Sequence, residues 1–311
     1  MDSAISRVKF IGAAVLTAAL LMACNRRNNP LLSTPDAGTT SAVITSPEID
    51  AHDIPFNRVF VQVLGGGTTP IQNFQLGNFS LVENGRPTVP DAVGPVTDPL
   101  YVVLAIDRSG SMVMDAAGQP DPAKENAANT AGKDFVTNHL GAGDQMAIIE
   151  FANSSVTSVP FTSDQTTLFS VLGSSRSSGG TALYDAALNG AGLLRSVTGR
   201  KLLIVLTDGV DNASSHHIND AVDGINTDGV SAFMVGLGAD ADTAALTTIA
   251  GGTGGTYNFS SNGSDLTPIF NTILSHMQNL VYVKYRKRAD SGTLTVYLNY
   301  GSITGSTTRR F

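Results

Sequence analysis

The sequence predicts an α/β fold in which a doubly wound, mostly parallel sheet is inserted in a small antiparallel β-sandwich. Within residues 99–280, continuous apolar runs alternate with helical patterns, as expected for parallel strands joined by helices. These runs lack a polar face, which indicates strands covered on both sides. The flanking segments 51–98 and 281–311 instead alternate apolar and polar residues, a pattern typical of strands with one buried face.

The first 23 residues predict a secretory signal peptide that is cleaved. Arg7 and Lys9 precede an uncharged run over residues 10–23, which is shorter than the roughly 20 residues that a membrane-spanning helix needs. Cys24 follows directly and is the single cysteine of the chain, so no disulfide forms within it. Its position resembles the lipobox of bacterial lipoproteins, which implies that Cys24 is the lipidated first residue. The alternative is an ordinary signal peptide with an incidental cysteine.

The lipobox resemblance also implies a location. A lipidated Cys24 anchors the protein to a membrane of the bacterial cell envelope without spanning it. Asn25 in the next position resembles the sorting signal for the outer membrane, so we expect the protein on the periplasmic or surface face of that membrane. Residues 24–50 contain Asn, Pro, Ser and Thr with little hydrophobic periodicity, which predicts a flexible linker.

The two flanking segments predict the halves of one β-sandwich. In 51–98, Val59, Val61 and Val63 alternate with polar residues, and Asn84-Gly85 offers a hairpin turn. In 281–311 the same alternation begins at Val281 and resumes after a turn near Gly292. Neither segment alone is large enough to bury much apolar surface, so we expect them to pair. The alternative is two separate strand-rich appendages.

Residues 99–280 carry the elements of the α/β domain. Apolar runs predict strands at 100–106, 145–151, 202–206 and 230–236, with weaker ones at 155–160 and 255–259. Helical patterns lie near 122–139, 181–196, 217–226, 242–250 and 264–279. Asp242 is the expected N-cap of the fourth helix.

Three loops of this domain carry oxygen-bearing side chains. Asp107, Ser109 and Ser111 follow the first strand at alternate positions, Thr181 precedes a helix, and Asp208 follows the strand at 202–206. Loops at the carboxyl ends of parallel strands meet in one crevice, so these side chains are expected to converge. Hard divalent cations prefer oxygen ligands, and Mg²⁺ takes few carboxylates. A cation site is therefore predicted.

These residues resemble the metal-ion-dependent adhesion site (MIDAS) of the von Willebrand factor A (VWA) family, whose pattern is Asp-x-Ser-x-Ser, then Thr, then Asp. The resemblance implies a Rossmann-like domain that binds Mg²⁺, with Mn²⁺ or Ca²⁺ as other candidates. It implies direct ligation by Ser109 and Ser111, direct or water-mediated ligation by Thr181, and mainly indirect roles for Asp107 and Asp208. Asp211 and Asn212 are expected to hold waters and loop geometry around the ion. An Asp or Glu of a partner protein would complete the coordination.

The composition and the motifs of the chain restrict the classes of function that we expect. The net charge of −7, with one short basic cluster at 284–288, argues against a nucleic-acid partner. We therefore expect a binding protein for adhesion or envelope assembly and not an enzyme. One alternative is a structural scaffold that needs no metal. Another is an envelope hydrolase, which would need His216 or His217 beside Ser109 or Ser111, since the chain has no Gly-x-Ser-x-Gly motif.

Overall fold

The computed structural model of the protein describes residues 40–50, 56–65, 69–115, 117–174 and 177–311. The predicted signal peptide, Cys24 and the linker up to residue 39 lie outside the described residues. Residues 40–311 belong to one unit. Within the described ranges, no helix combines the length and the apolar character that crossing a membrane requires.

Fifteen strands are present among the described residues. Six precede the α/β domain: β1 (Thr40–Asp50), β2 (Phe56–Gly65), β3 (Thr69–Pro70), β4 (Phe79–Glu83), β5 (Arg86–Thr88) and β6 (Pro90–Pro95). Six lie within it: β7 (Leu100–Asp107), β8 (Gln145–Phe151), β9 (Ser155–Thr162), β10 (Arg200–Thr207), β11 (Ala232–Leu237) and β12 (Tyr257–Ser260). Three follow it: β13 (Val281–Arg286), β14 (Thr293–Tyr300) and β15 (Ile303–Arg310).

The helices connect the strands of the α/β domain. They are α1 (Ala123–His139), α2 (Gln165–Val171), α3 (Leu183–Arg195), α4 (Ile218–Thr227), α5 (Thr243–Thr253) and α6 (Leu266–Ser275), with short 3-10 turns at Leu76–Asn78 and Gly110–Val113. The five predicted helices are all present, and Asp242 caps α5 by accepting from the Ala245 N–H. Helix α2 was not predicted, because its two turns are too short to show a helical period. Asp164 nevertheless caps α2 by accepting from two backbone N–H groups.

The central sheet confirms the doubly wound prediction. Its strand order is β12-β11-β10-β7-β8-β9, and every pair is parallel except β8 with β9. Successive residues of β7 enter different cores: Leu104 packs with Phe135 and Phe270 on one face, and Val103 packs with Leu183 on the other. Burial on both faces explains why these strands are apolar throughout.

The segments before and after the α/β domain pair with each other. Strand β13 lies antiparallel between β2 and β6, and β14 lies antiparallel between β4 and β15. Their inward side chains form a separate core that includes Val59, Leu81, Tyr285 and Val296. The α/β domain is thus inserted between two halves of one β-structure, and the alternative of separate appendages is wrong.

Strand β1 corrects the prediction of a linker over 24–50 in its last part, residues 40–50. It pairs antiparallel with β2 between Ala42 and Asp50, and it meets β15 in parallel at Thr40 and Ser41. The register shifts between Thr45 and Glu48, around Pro47, which has no N–H to donate. This interruption removes the regular alternation by which the strand could have been recognised. The small domain is therefore not purely antiparallel.

The α/β domain rests on the β-sandwich through the N-terminal end of its parallel strands. At the start of β10, Arg200 donates to the carbonyl oxygens of Asp98 (2.8 Å) and Met277 (3.2 Å). From β2, the Gln62 amide donates to the carbonyl oxygens of Ser275 (2.6 Å) and Gln278 (3.0 Å). We call this region the joint.

Strand β15 adds a third contact to the joint. The buried Arg309 guanidinium donates to the carbonyl oxygens of Thr253, at the end of α5, and of Val230, just before β11. These carbonyls lie at the same end of the sheet as Arg200. The opposite, C-terminal end of the sheet is left for the loops that carry the candidate site.

Candidate metal-binding site

The three predicted loops lie against one another at the C-terminal end of the sheet. The Ser178 N–H donates to the Arg108 carbonyl at 2.7 Å, and the Gly110 N–H donates to the Gly179 carbonyl at 3.1 Å. The loop after β10 joins them where the Asn212 N–H donates to the Thr181 carbonyl at 3.0 Å. Backbone hydrogen bonds therefore fix the relative positions of all three loops.

A continuous chain of hydrogen bonds joins four of the five predicted residues. Asp107 Oδ1 accepts from the Ser109 N–H at 2.7 Å, and the hydroxyl oxygens of Ser109 and Ser111 are 3.0 Å apart. The Ser111 hydroxyl donates to Asp208 Oδ1 at 2.7 Å. Asp107, Ser109 and Asp208 are buried, whereas Ser111 is exposed. The cluster thus reaches the surface through Ser111.

The Thr181 hydroxyl and the Ser111 hydroxyl both lie close to Gly209. A Cβ atom placed on Gly209 would lie 3.3 Å from the Thr181 hydroxyl oxygen and 3.8 Å from that of Ser111. Both hydroxyls therefore border the space that a side chain at residue 209 would enter. Glycine at this position keeps that space open between the loops.

Burial makes the charge of Asp107 unfavourable. Desolvation raises the pKa of Asp107 from 3.8 to about 6, against hydrogen bonds from Ser109 and Thr207 that lower it, and the charge of Asp208 raises it further. The Thr207 hydroxyl donates to Asp107 Oδ2 at 2.5 Å. A cation near Asp107 would favour its ionised form.

Lys124, in the first turn of α1, is a member of the site that the sequence analysis missed. Its Nζ lies 2.6 Å from Asp208 Oδ2 and 3.4 Å from the Ser111 carbonyl oxygen. No motif distinguishes Lys124 from other lysines along the chain. Its role depends on the packing of α1 against the loop after β10, which sequence does not reveal.

Asp211 and Asn212 hold the loop that carries Thr181. Asn212 Oδ1 accepts from the Thr181 N–H at 2.8 Å, and Asp211 Oδ2 accepts from the Tyr184 N–H at 3.2 Å. Asn153, which was not predicted, accepts from the Gly180 N–H at 2.7 Å. The loop is therefore held by side-chain acceptors in front of α3.

Hydrogen bonds of the buried Arg108 side chain hold the loop that follows β7. The guanidinium is buried and donates to Glu150 of β8 at 2.9 Å, to Glu125 of α1 at 3.2 Å and to Asn129 of α1 at 2.9 Å. Two carboxylates and one amide oxygen thus share one planar group. This network fixes the residue between Asp107 and Ser109 in the first loop.

Comparison with known proteins agrees with this architecture. The model of the von Willebrand factor type A domain matches residues 102–272, which is more than half of the chain. The chain belongs to this family. No match was found among curated protein sequences.

Solved structures share the VWA fold. A von Willebrand factor type A protein from Catenulispora acidiphila is 14% identical, with a TM-score of 0.53 over 90% of this chain and 74% of that one. Proximal thread matrix protein 1 from the mussel byssus, with a zinc-occupied MIDAS motif, is 20% identical, with a TM-score of 0.52 over 63% of this chain and 50% of that one. At these identities the likeness concerns the fold.

The donor atoms fit a hard divalent cation. Within the described ranges, no three His, Cys, Asp or Glu side chains gather into a group that could hold a metal ion. At the candidate site, two carboxylates are instead accompanied by the hydroxyl oxygens of Ser109, Ser111 and Thr181, which would complete the set of oxygen donors. The cluster already attracts one cation, the ammonium group of Lys124. Oxygen donors with few carboxylates suit Mg²⁺ chemically.

The histidine expected by the hydrolase alternative contacts other residues. His216 Nδ1 lies 2.8 Å from Asp185 Oδ1 and 3.3 Å from the Ser215 hydroxyl, at the surface. The Ser111 hydroxyl meanwhile donates to Asp208. In this arrangement the contacts of His216 stabilise the loop before α4.

Proposed function

We propose that the VWA domain binds a partner protein through a divalent cation held by Asp107, Ser109, Ser111, Thr181 and Asp208. The observation that carries this proposal is the hydrogen-bonded oxygen cluster, which spans two loops and already pairs with the Lys124 ammonium. Mg²⁺ is the expected ion, and Mn²⁺ or Ca²⁺ would suit the same donors.

The neutral and the charged residues of the site would have different roles in binding the cation. Ser109, Ser111 and Thr181 offer neutral oxygens, while Asp107 and Asp208 sit behind them, bonded to Thr207, Ser111 and neighbouring groups. A bound ion with few carboxylate ligands keeps Lewis acidity and accepts an Asp or Glu carboxylate from the partner. The exposed Ser111 marks the side from which this carboxylate would enter.

The surroundings of the site favour a protein partner over a small anion. Met114 follows the Ser111 loop and is 47% exposed, and Val210 follows Asp208 and is 53% exposed. Exposed apolar side chains beside a polar centre are typical of protein contact surfaces. A partner that presents a carboxylate next to an apolar side chain would use both features.

The expected location is the bacterial cell envelope. Lipidation at Cys24 would tether the protein to a membrane, with the outer membrane favoured by Asn25, and residues 25–39 would separate the anchor from β1. Replacing Cys24 with Ala should release the protein into the soluble fraction of the cells. Persistent membrane attachment of the Cys24→Ala variant would contradict the lipid anchor.

Metal binding is tested on the full chain, purified in a mild detergent. Titration calorimetry with Mg²⁺, Mn²⁺, Ca²⁺ and Zn²⁺ should show saturable binding of at least one ion, and Asp208→Ala should abolish it. Zn²⁺ is included because it occupies the motif of the mussel protein. Asp223→Ala, on an exposed position of α4, is the matched control. Absence of saturable binding would overturn the metal site.

Partner capture separates binding from the alternatives. If a metal-independent scaffold is the function, capture of envelope proteins by the immobilised chain survives EDTA. If the cation mediates binding, EDTA abolishes capture and added Mg²⁺ restores it. A panel of ester and peptide substrates tests the hydrolase alternative, since turnover that disappears in Ser109→Ala or Ser111→Ala would support catalysis.

A further inference from the structure

The Lys124 ammonium forms an ion pair with Asp208, one of the residues of the proposed metal site. The ammonium contacts Asp208 Oδ2 at 2.6 Å, and the side chain of Lys124 is 23% exposed whereas that of Asp208 is fully buried. A Cβ atom on Gly238, at the end of β11, would lie 3.6 Å from Lys124 Cε. The lysine stem therefore runs from α1 past β11 to the buried carboxylate.

Helix stability does not explain a lysine at this position. Lys124 is the second residue of α1, where the helix dipole disfavours positive charge. An acidic residue in the first turn would suit the helix better, and Glu125 next to it is turned inward to Arg108. What Lys124 gains at this place is the ion pair with Asp208.

We propose that Lys124 is a built-in counter-cation that a divalent ion must displace from Asp208, so that Lys124 sets the metal affinity of the site. This inference rests on the proposed function. With Lys124 in place, the two carboxylates and one ammonium carry less net negative charge than the carboxylates alone. An arriving cation meets a weaker attraction and competes for the Asp208 oxygens.

The same ion pair stabilises the metal-free protein. A buried carboxylate without a partner is costly, and Lys124 neutralises Asp208 when no metal is bound. The site therefore keeps its shape at low metal concentration and takes up metal by exchange. The ammonium, held on a flexible stem, is free to swing outward when the ion enters.

Removal of the positive charge tests this proposal. In Lys124→Gln, an amide donor still reaches for Asp208, and we expect Mg²⁺ to bind at least about tenfold more tightly than in the wild type. Lys124→Arg keeps the charge and should bind Mg²⁺ as the wild type does. Lys133→Gln, on the same helix but about 13 Å further along its axis, is the matched control for the loss of one positive charge. Titration calorimetry on the full chain in detergent measures all four proteins.

Thermal unfolding supplies an independent readout. Without metal, Lys124→Gln should unfold at a lower temperature than the wild type, because Asp208 has lost its counter-charge. In saturating Mg²⁺ the difference should vanish or reverse, whereas Lys133→Gln should shift alike in both conditions. A variant that is destabilised equally with and without Mg²⁺ would assign Lys124 a structural role only and overturn the proposal.

The outcomes separate this proposal from the function on which it rests. Unchanged or weaker Mg²⁺ binding in Lys124→Gln, beside measurable binding in the wild type, overturns the role of Lys124 and leaves the metal site standing. Absence of Mg²⁺ binding in both proteins overturns both. Binding that appears only in Lys124→Gln supports the proposal and shows that the wild-type lysine outcompetes the ion.

Discussion

The two ends of the central sheet differ in what their polar side chains contact. At the joint, Arg200, Arg309 and Gln62 donate to backbone carbonyl oxygens of neighbouring segments. At the opposite end, Ser111 and Lys124 contact the side chain of Asp208. Backbone acceptors cannot move without unfolding their segment, whereas side-chain partners can be exchanged. The joint is thus a fixed support. At the site, the side-chain contacts of Asp208 can be exchanged, within loops that backbone hydrogen bonds hold in place.

Because of this contrast, the two ends of the parallel strands have different structural roles. The β-sandwich holds the N-terminal ends of the parallel strands, and strand β7, at about 3.3 Å per residue, separates Leu100 at the joint from Asp107 at the site. A partner at the site therefore meets loops that the sandwich does not cover. Changes at the two ends should consequently affect different properties.

The largest expected effect is at the joint. Arg309→Met removes two charged hydrogen bonds and leaves the Thr253 and Val230 carbonyls without this donor. We expect the free energy of unfolding to fall by about 3–5 kcal/mol, while the Mg²⁺ affinity of the folded protein stays unchanged. Urea unfolding and calorimetry measure the two quantities. Arg310→Met, whose side chain is exposed, is the control and should change stability by less than about 1 kcal/mol. Loss of metal affinity in Arg309→Met would show that the two ends are coupled.

The next effect concerns the pH dependence of Asp107. Its pKa is raised to about 6 in the folded protein, above the ordinary value of 3.8, so the folded state keeps a proton that the unfolded state has lost. Without metal, stability should therefore fall as the pH rises from about 4 to above 6, by roughly 2–3 kcal/mol. Asp107→Asn lacks this titration.

The variant isolates Asp107 from the other titrating groups. The difference in unfolding free energy between wild type and Asp107→Asn, followed from pH 4 to 7 by urea unfolding, should shift in favour of the variant. Parallel curves for the two proteins would mean that burial does not disfavour the Asp107 charge. In saturating Mg²⁺ at pH 7, the wild type should regain the advantage, since the variant has lost a carboxylate.

A smaller effect is expected at the exposed hydroxyl. Ser111→Ala removes an oxygen that joins Ser109 to Asp208, and Mg²⁺ affinity should fall about tenfold, or roughly 1.4 kcal/mol. Stability without metal should fall by about 1–2 kcal/mol, because the Ser111 hydroxyl donates to the buried Asp208 carboxylate. Ser178→Ala is the control, because Ser178 contacts Arg108 through its backbone N–H. Equal losses of affinity in both variants would place the effect in the loop and not in the hydroxyl.

The same contrast explains what the sequence predicts. The α/β fold is legible because strands buried on both faces are apolar throughout, and the predicted strands and helices end within four residues of the observed ones. The convergence of Asp107, Ser109, Ser111 and Asp208 is predictable because they lie at or just after strand ends, where parallel topology brings loops together. Asp107, Ser109, Ser111 and Asp208 meet there through hydrogen bonds.

Other contacts could not be predicted, since they depend on how elements pack. Lys124 lies within an ordinary helical pattern, and Arg309 lies in a Thr-rich strand. No sequence signal shows that Arg309 contacts the α/β domain at the joint. Strand β1 was hidden by Pro47, which interrupts the pairing and the alternation together. In each case the sequence shows the residue, and only the tertiary arrangement shows its partner.

The smallest expected effect is at Asn212, which supports the site without offering it an oxygen. Asn212→Ala removes the acceptor of the Thr181 N–H, so the loop loses about 1 kcal/mol of stabilisation and Mg²⁺ affinity should fall a few-fold. Asn212→Asp keeps a carbonyl-type oxygen at the same place and should retain the loop, with affinity equal to or higher than that of the wild type. If Asn212→Ala binds Mg²⁺ as the wild type does, Thr181 either is held by its other backbone contacts or contributes nothing to the ion. Thr181→Val distinguishes these cases, because it removes the hydroxyl and leaves the backbone contacts in place.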